Sequence, residues 1–292
     1  ALLELWRQEA LAVTEGDEPA FRTAASEFAD AVCCALDPEH LVRWAQNRVP
    51  SSPGEKRAQE TIVRELGFVN RRLAIARPLA DALTYRFRGR ERVVVFCPTA
   101  DLAKDLANEL RELLPEDAVL EHRSNESPAE ISAAVQAFEQ AHTATVLVAD
   151  SSAEEGRDFQ FADLLVHVGL PPRANRLEQR IGRCDRWKSD GSPDAWESLL
   201  VEESTFSETF GSLWQRILSE GFGVFTSSIA SLQFAVDSAN DLAWQHIFKH
   251  GLTDSDSITN SVKSALEVEV ERIREQDALD SIETSGERGS IY

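Results

Sequence analysis

The run LEQRIGRCDR at residues 177–186 gathers Gln179, Arg180, Arg183 and Arg186 around Gly182. Guanidinium groups are planar, permanently charged and carry donors in a fixed fork, so a row of them matches phosphate oxygens well. On a helix, Arg183 and Arg186 share one face, and Gln179 lies four residues back from Arg183 on the same side. Gly182 removes side-chain bulk beside them. The chemistry this pattern suits is contact with the γ-phosphate of a nucleotide. An isolated arginine face of this kind is as a rule solvated or ion-paired, so its place in the fold decides between the two readings.

The surrounding elements put the run where a ligand would sit. VVVFC (93–97), AVLEHR (118–123), ATVLVAD (144–150), LLVHVGL (164–170) and SLLVEE (198–203) read as buried strands. Between them TADLAKDLANELREL (99–113), SPAEISAAVQAFEQA (127–141) and ANRLEQRIGRC read as helices, with Ser127 as N-cap and Glu130 three residues on. Strands apolar on both faces that alternate with helices predict an α/β fold: a parallel sheet covered by helices on both sides. In such sheets ligands gather at the carboxyl ends of the strands, beside helix N-termini. Both the loop after TVLVAD and the arginine helix belong to that edge. Residues 3–48 read as helical, 49–56 (VPSSPGEK) as a break, and 57–66 and 73–86 as further helices. Beyond 205 the strands stop, and helices broken at Gly221 and Gly223 are expected, with 224–251 and 258–283 helical.

Composition narrows the class. The 292 residues carry a formal charge of −20, from 50 acids against 30 Lys and Arg. That field argues against a generic nucleic-acid coat protein. Two basic islands interrupt it: eight arginines against three acids in 64–92, and six basic residues against three acids in 171–190. They fit a local polyanion site. The end of the chain, 252–292, is acidic, ten to four. No apolar run approaches the length of a membrane span, and no secretory signal is evident. Cys33, Cys34, Cys97 and Cys184 suggest neither a disulfide framework nor a zinc site, so a cytoplasmic protein is expected. There is no methionine, even at position 1, which points to a piece of a longer protein or to methionines missing from the sequence.

QRIGRCDR resembles the sixth motif of superfamily-two helicases and translocases, Gln-x-x-Gly-Arg-x-x-Arg. EGRDFQFADLLVHVGLPPRANRLEQRIGRCDR, without gaps, resembles the fifth-to-sixth motif block of Swi/Snf-type ATPases, closest to the bacterial RapA-like branch. VVVFCPTADLAKDLANEL resembles that family's fourth motif. The resemblance covers roughly 71–215. It implies the C-terminal of two RecA-like lobes, flanked by a helical inter-lobe or linker region (1–70) and a helical C-terminal extension (216–292). It further implies a nucleic-acid-dependent ATPase that binds ATP and Mg²⁺ between its lobes. No Gly-x-x-x-x-Gly-Lys-Ser/Thr and no Asp-Glu-x-His type motif occurs here, so the phosphate loop and the acidic Mg²⁺ site are expected in an N-terminal lobe. This lobe alone is then expected to hydrolyse nothing.

Carried over by motif, Arg183 and Arg186 are the arginine fingers at the γ-phosphate. Gln179 and Gly182 lie at the nucleotide, and Gly156 and Asp158 of the fifth motif couple it to the nucleic-acid track. Pro98, Thr99, Ser151 and Arg157 face the DNA backbone, with RNA an open alternative. The departures are Gly169 and Arg173–Ala174 before the sixth motif, and Trp187–Lys188–Ser189 after it, which put the local loop geometry in question. Plainer readings stand beside these: Thr99 as a helix cap, Asp158 as a turn former, and the arginine helix as a solvated face or a set of surface ion pairs. His246 and His250 lack a third ligand and read as core or surface histidines. Trp187, Trp196, Trp214 and Trp244 read as packing residues, and Cys97 and Cys184 as small buried hydrophobes. A reading of a different class is a non-catalytic RecA-like scaffold in a defence or repair complex, its arginines serving as docking contacts.

Overall fold

RVVVF at 92–96 is β-branched and apolar on both faces, a composition that packs only in the middle of a covered sheet. In the computed structural model this segment is β1 (Arg92–Phe96), the central strand of five. The structure describes residues 1–67, 71–86, 92–154, 159, 161–183, 197–201, 208–226 and 228–287. The other strands are β2 (Val119–His122), β3 (Thr145–Ala149), β4 (Leu164–Val168) and β5 (Glu197–Val201). Their order is β2-β3-β1-β4-β5 and every pairing is parallel. The expected α/β class and parallel sheet are what the chain forms.

Handedness then fixes the layers. The connection from β1 to β2 runs one way along the sheet, and those from β2 to β3 and β4 to β5 run the other. Right-handed crossovers therefore put their helices on opposite faces. α6 (Ala100–Leu113) packs with α5 (Arg71–Arg86) on the face of Val93, Val95, Val148 and Val166. Leu102, Leu106 and Leu110 of α6 are fully buried there, each worth about 1.5–3 kcal/mol of apolar burial. α7 (Pro128–Glu139) and α8 (Ala174–Gly182) cover the face of Val94, Phe96, Leu147 and Leu165. The capping box expected at Ser127 and Glu130 is present with both of its hydrogen bonds.

The flanking helices join that second face. α1 (Leu2–Val13), α2 (Glu18–Cys33), α3 (Pro38–Asn47) and α4 (Pro53–Leu66) precede the sheet. α9 (Phe210–Arg216), α10 (Gln233–His250) and α11 (Ser255–Glu287) follow it. Trp6, Phe28 and Phe248, from both ends of the chain, pack ring to ring in one core. Two helix starts lie furthest from the sequence reading. α4 starts inside the expected break, because Ser52 caps it and Pro53 at the first helical position needs no amide partner. α10 starts only at Gln233. Residues 224–226 form a turn after Gly223, whose φ of +67° ends the preceding helical turn, and 230–232 are a 3-10 turn. No described helix is long and apolar enough to cross a membrane.

Candidate functional site

The carboxyl ends of β1, β3 and β4 open onto Pro98–Thr99, the turn beginning at Ser151, and Gly169–Arg173. α8 rises from the last of these loops and carries the sixth-motif residues. At its end Arg183 takes the C-cap position, with its amide bonded back to the Gln179 carbonyl at 3.2 Å. Its side-chain Nε donates to the Glu154 carbonyl at 3.0 Å, and its own carbonyl accepts from the Phe159 amide at 2.9 Å. Arg183 is thereby tied twice to the loop between β3 and β4. Gln179 is exposed. Among the described residues, no atom outside the helix's own backbone lies within 4 Å of a Cβ placed at Gly182. The described residues therefore leave room at Gly182. Arg186, Gly156, Arg157 and Asp158 lie outside the described residues.

Arg180 behaves differently from Arg183. It is 3% exposed and points inward, pairing with Glu154, itself 1% exposed, at 2.6 Å. Arg176 pairs with the other carboxylate oxygen at 2.5 Å. Arg180 also donates to the Gly169 carbonyl and lies 5.0 Å over the Phe96 ring. Burial pulls its proton affinity down, and the Glu154 carboxylate opposes that. Arg180 is thus no phosphate donor but half of a buried ion pair that fastens α8 to the β3–β4 loop. Sequence reasoning missed Glu154, which sits in a polar stretch with its partners 22 and 26 residues away.

Phe96 carries a second neighbour. His167, its register partner on β4, is stacked on it with centroids 6.4 Å apart and planes 12° apart. Burial, aided by the Arg180 charge, pushes His167 down to about 3, so it is neutral at any physiological pH.

At the end of β1, Thr99 is the N-cap of α6. Its Oγ1 accepts from the Leu102 amide at 3.2 Å and donates to Asp37 Oδ2 at 2.5 Å. Asp37 is fully buried and caps α3 through its other oxygen. Thr99 so links the sheet edge to the N-terminal helices, and Pro98 beside it is half-buried. Ser151, also half-buried, opens the 3-10 turn that ends at Glu154. Before it, Asp150 accepts from the amides and hydroxyls of Ser124 and Ser152. Burial pushes the Asp150 carboxyl up, but those bonds outweigh it and hold it below the usual range.

The remaining sequence expectations fall as follows. Trp214 and Trp244 are buried with ring centroids 4.5 Å apart, while Trp187 and Trp196 lie outside the described residues. His246 and His250 lie against each other at 4.5 Å. Among the described residues no three His, Cys, Asp or Glu side chains converge as a metal site. Cys97 is buried, and burial raises its thiol well above the ordinary range; Cys184 lies outside the described residues.

Residues 76–188 match the family model of the helicase conserved C-terminal domain. The RNA polymerase-associated protein RapA of Vibrio cholerae (strain M66-2) is 28% identical over 192 residues, covering 63% of this chain and 19% of that protein. RapA of Pseudomonas putida (strain F1, ATCC 700007) is 37% identical over 103 residues, 35% of this chain and 11% of that protein. The chain thus spans at most about a fifth of these relatives. Among solved structures, the C-terminal part of the Fun30 ATPase domain aligns at a TM-score of 0.43 and 10% identity, covering 90% of this chain and 92% of that one.

Proposed function

We propose that this chain, which carries the C-terminal RecA-like lobe of a Swi/Snf-type superfamily-two helicase, is one half of a nucleic-acid-dependent ATPase and closes on ATP held against an N-terminal lobe. The supporting observation is Arg183, held twice to the β3–β4 loop beside exposed Gln179 and the space that the described residues leave at Gly182. A cation placed beforehand costs no reorganisation when charge develops on the transferring phosphoryl group, which is how arginine fingers gain roughly 10³–10⁵ in rate. Arg183 and Arg186 take that role in this reading, with Gln179 and Gly182 at the nucleotide and Gly156 and Asp158 in the coupling loop.

ATP would supply the phosphoryl group, and the acidic groups that hold Mg²⁺ belong to the N-terminal lobe in this proposal. In this reading Pro98, Thr99, Ser151 and Arg157 serve the nucleic-acid backbone, DNA in the first place, with Arg157 assigned by motif alone. Thr99 contributes there by capping α6 and so fixing the loop, since its hydroxyl is already engaged by Leu102 and Asp37. The experiment is ATP hydrolysis by residues 1–292 alone and by the intact protein, each with and without DNA. Hydrolysis by the intact protein only is expected. Appreciable turnover by residues 1–292 alone would sink the two-lobe reading.

A further inference from the structure

α8 begins without a cap of its own. Arg173 holds the N-cap position and makes no side-chain capping bond, and the two residues before it are prolines. The first buried amide of the helix, on Ala174, donates instead to Asn240 Oδ1 of α10 at 3.0 Å, across 66 residues of chain. Asn240 is 2% exposed and uses its other end as well, donating from Nδ2 to the Pro172 carbonyl at 3.0 Å. Trp244 donates to that same carbonyl at 2.8 Å, and Trp214 donates to the Pro171 carbonyl at 2.9 Å. Midway along α8, Glu178 accepts from the Ser228 hydroxyl and from the amides of Ile229 and Ala230. At the far end of α10, Arg7 donates to the Phe248 carbonyl at 2.6 Å.

A buried amide facing a buried carboxamide is held along its own axis, because losing the contact leaves both groups unpaired. Asn240 therefore sets where α8 begins, as Glu154 sets where it ends. Arg183 lies nine residues beyond Ala174, about 13 Å along a helix at 1.5 Å per residue, and a short helix moves as a rod. We infer that Asn240 is a positioning residue for Arg183: the helical extension after the sheet is built into the catalytic lobe and sets the register of the arginine helix. This rests on the reading of Arg183 as the phosphate-facing arginine.

The test measures DNA-stimulated ATP hydrolysis by the intact protein as wild type, Asn240→Ala, Asn240→Asp, Arg183→Ala and the double variant Asn240→Ala/Arg183→Ala. Misplacing a catalytic group by an ångström costs up to about 100-fold, and a partial shift of α8 is expected to lower kcat roughly 10-fold in Asn240→Ala, with KM for ATP changed less than about 3-fold. Asn240→Asp keeps the acceptor for Ala174 and should recover part of that loss. The double variant should be no slower than Arg183→Ala, because a positioning residue has nothing left to position. Additive losses, or wild-type kcat in Asn240→Ala, would overturn the inference and leave the proposed function standing. A wild-type protein that DNA does not stimulate would remove the proposed function and this inference with it.

Discussion

Arg180 Nη2 and Glu154 Oε1 lie 2.6 Å apart with almost no solvent on either side. The sequence shows an arginine in a run whose spacing suits phosphate contact; the fold turns this one inward. A buried pair of this kind adds little beyond a well-packed apolar pair, but breaking it strands a charge. Glu154→Gln leaves Arg180 buried beside a neutral amide. We expect it to destabilise the lobe by about 3–5 kcal/mol, measured by urea unfolding. A loss under about 1 kcal/mol would mean that Arg180 reaches solvent in solution.

Gly182 sits on the same helix and carries the opposite expectation. Among the described residues a methyl group there meets nothing beyond the helix's own backbone, and alanine is a better helix former than glycine. Gly182→Ala should therefore leave stability unchanged or slightly raised. If the nucleotide approaches this position in the closed enzyme, the same substitution lowers ATP turnover. The paired readouts are unfolding free energy and kcat/KM in the intact protein. Unaltered turnover would show that Gly182 faces no ligand.

The fold was legible because its signals are local. VVVFC and TVLVA announce buried strands by composition, and Ser127 with Glu130 announces a helix start by spacing. The helix start at Ser52–Pro53 is equally local but lies hidden among turn-forming residues. The site was only half legible. Motif spacing picks out Arg183, but whether an arginine points at solvent or at a carboxylate depends on residues far away in the chain. Glu154 and Asn240 become significant only once the sheet brings them to α8. The same long-range effect ends the helical reading of 224–232, where the Glu178 carboxylate binds the amides of Ile229 and Ala230.

His167 gives a pH dependence with a definite sign. Its folded value of about 3 lies below the ordinary 6.5, so the unfolded chain takes up a proton first as pH falls. The stability it contributes is complete above pH 6.5 and drains away as pH falls toward 3. Between pH 7.5 and 5 this single group should cost about 2 kcal/mol. His167→Phe keeps the stack on Phe96 and should remove that part of the acid sensitivity, as read by urea unfolding at the two pH values. An unchanged pH slope in the variant would show that His167 is not held neutral.

The cap at Thr99 offers a check on the edge of the sheet. Thr99→Val removes the acceptor for the Leu102 amide and the donor to buried Asp37. A lost N-cap costs about 1 kcal/mol, and the loss of one hydrogen bond to the buried Asp37 carboxylate adds to that. Thr99→Ser keeps both bonds and should unfold with the wild type. A valine variant as stable as wild type would contradict the link between α6 and the N-terminal helices.

The central claim is that Arg183 and Arg186 serve the γ-phosphate. The most direct measurement is the DNA-stimulated ATPase rate of the intact protein against Arg183→Ala and Arg186→Ala, with unfolding free energies alongside. At least one substitution should lower the rate by about 10³-fold or more while the lobe stays folded. Stimulated turnover near the wild-type rate in both variants would contradict the claim and leave these arginines as docking contacts.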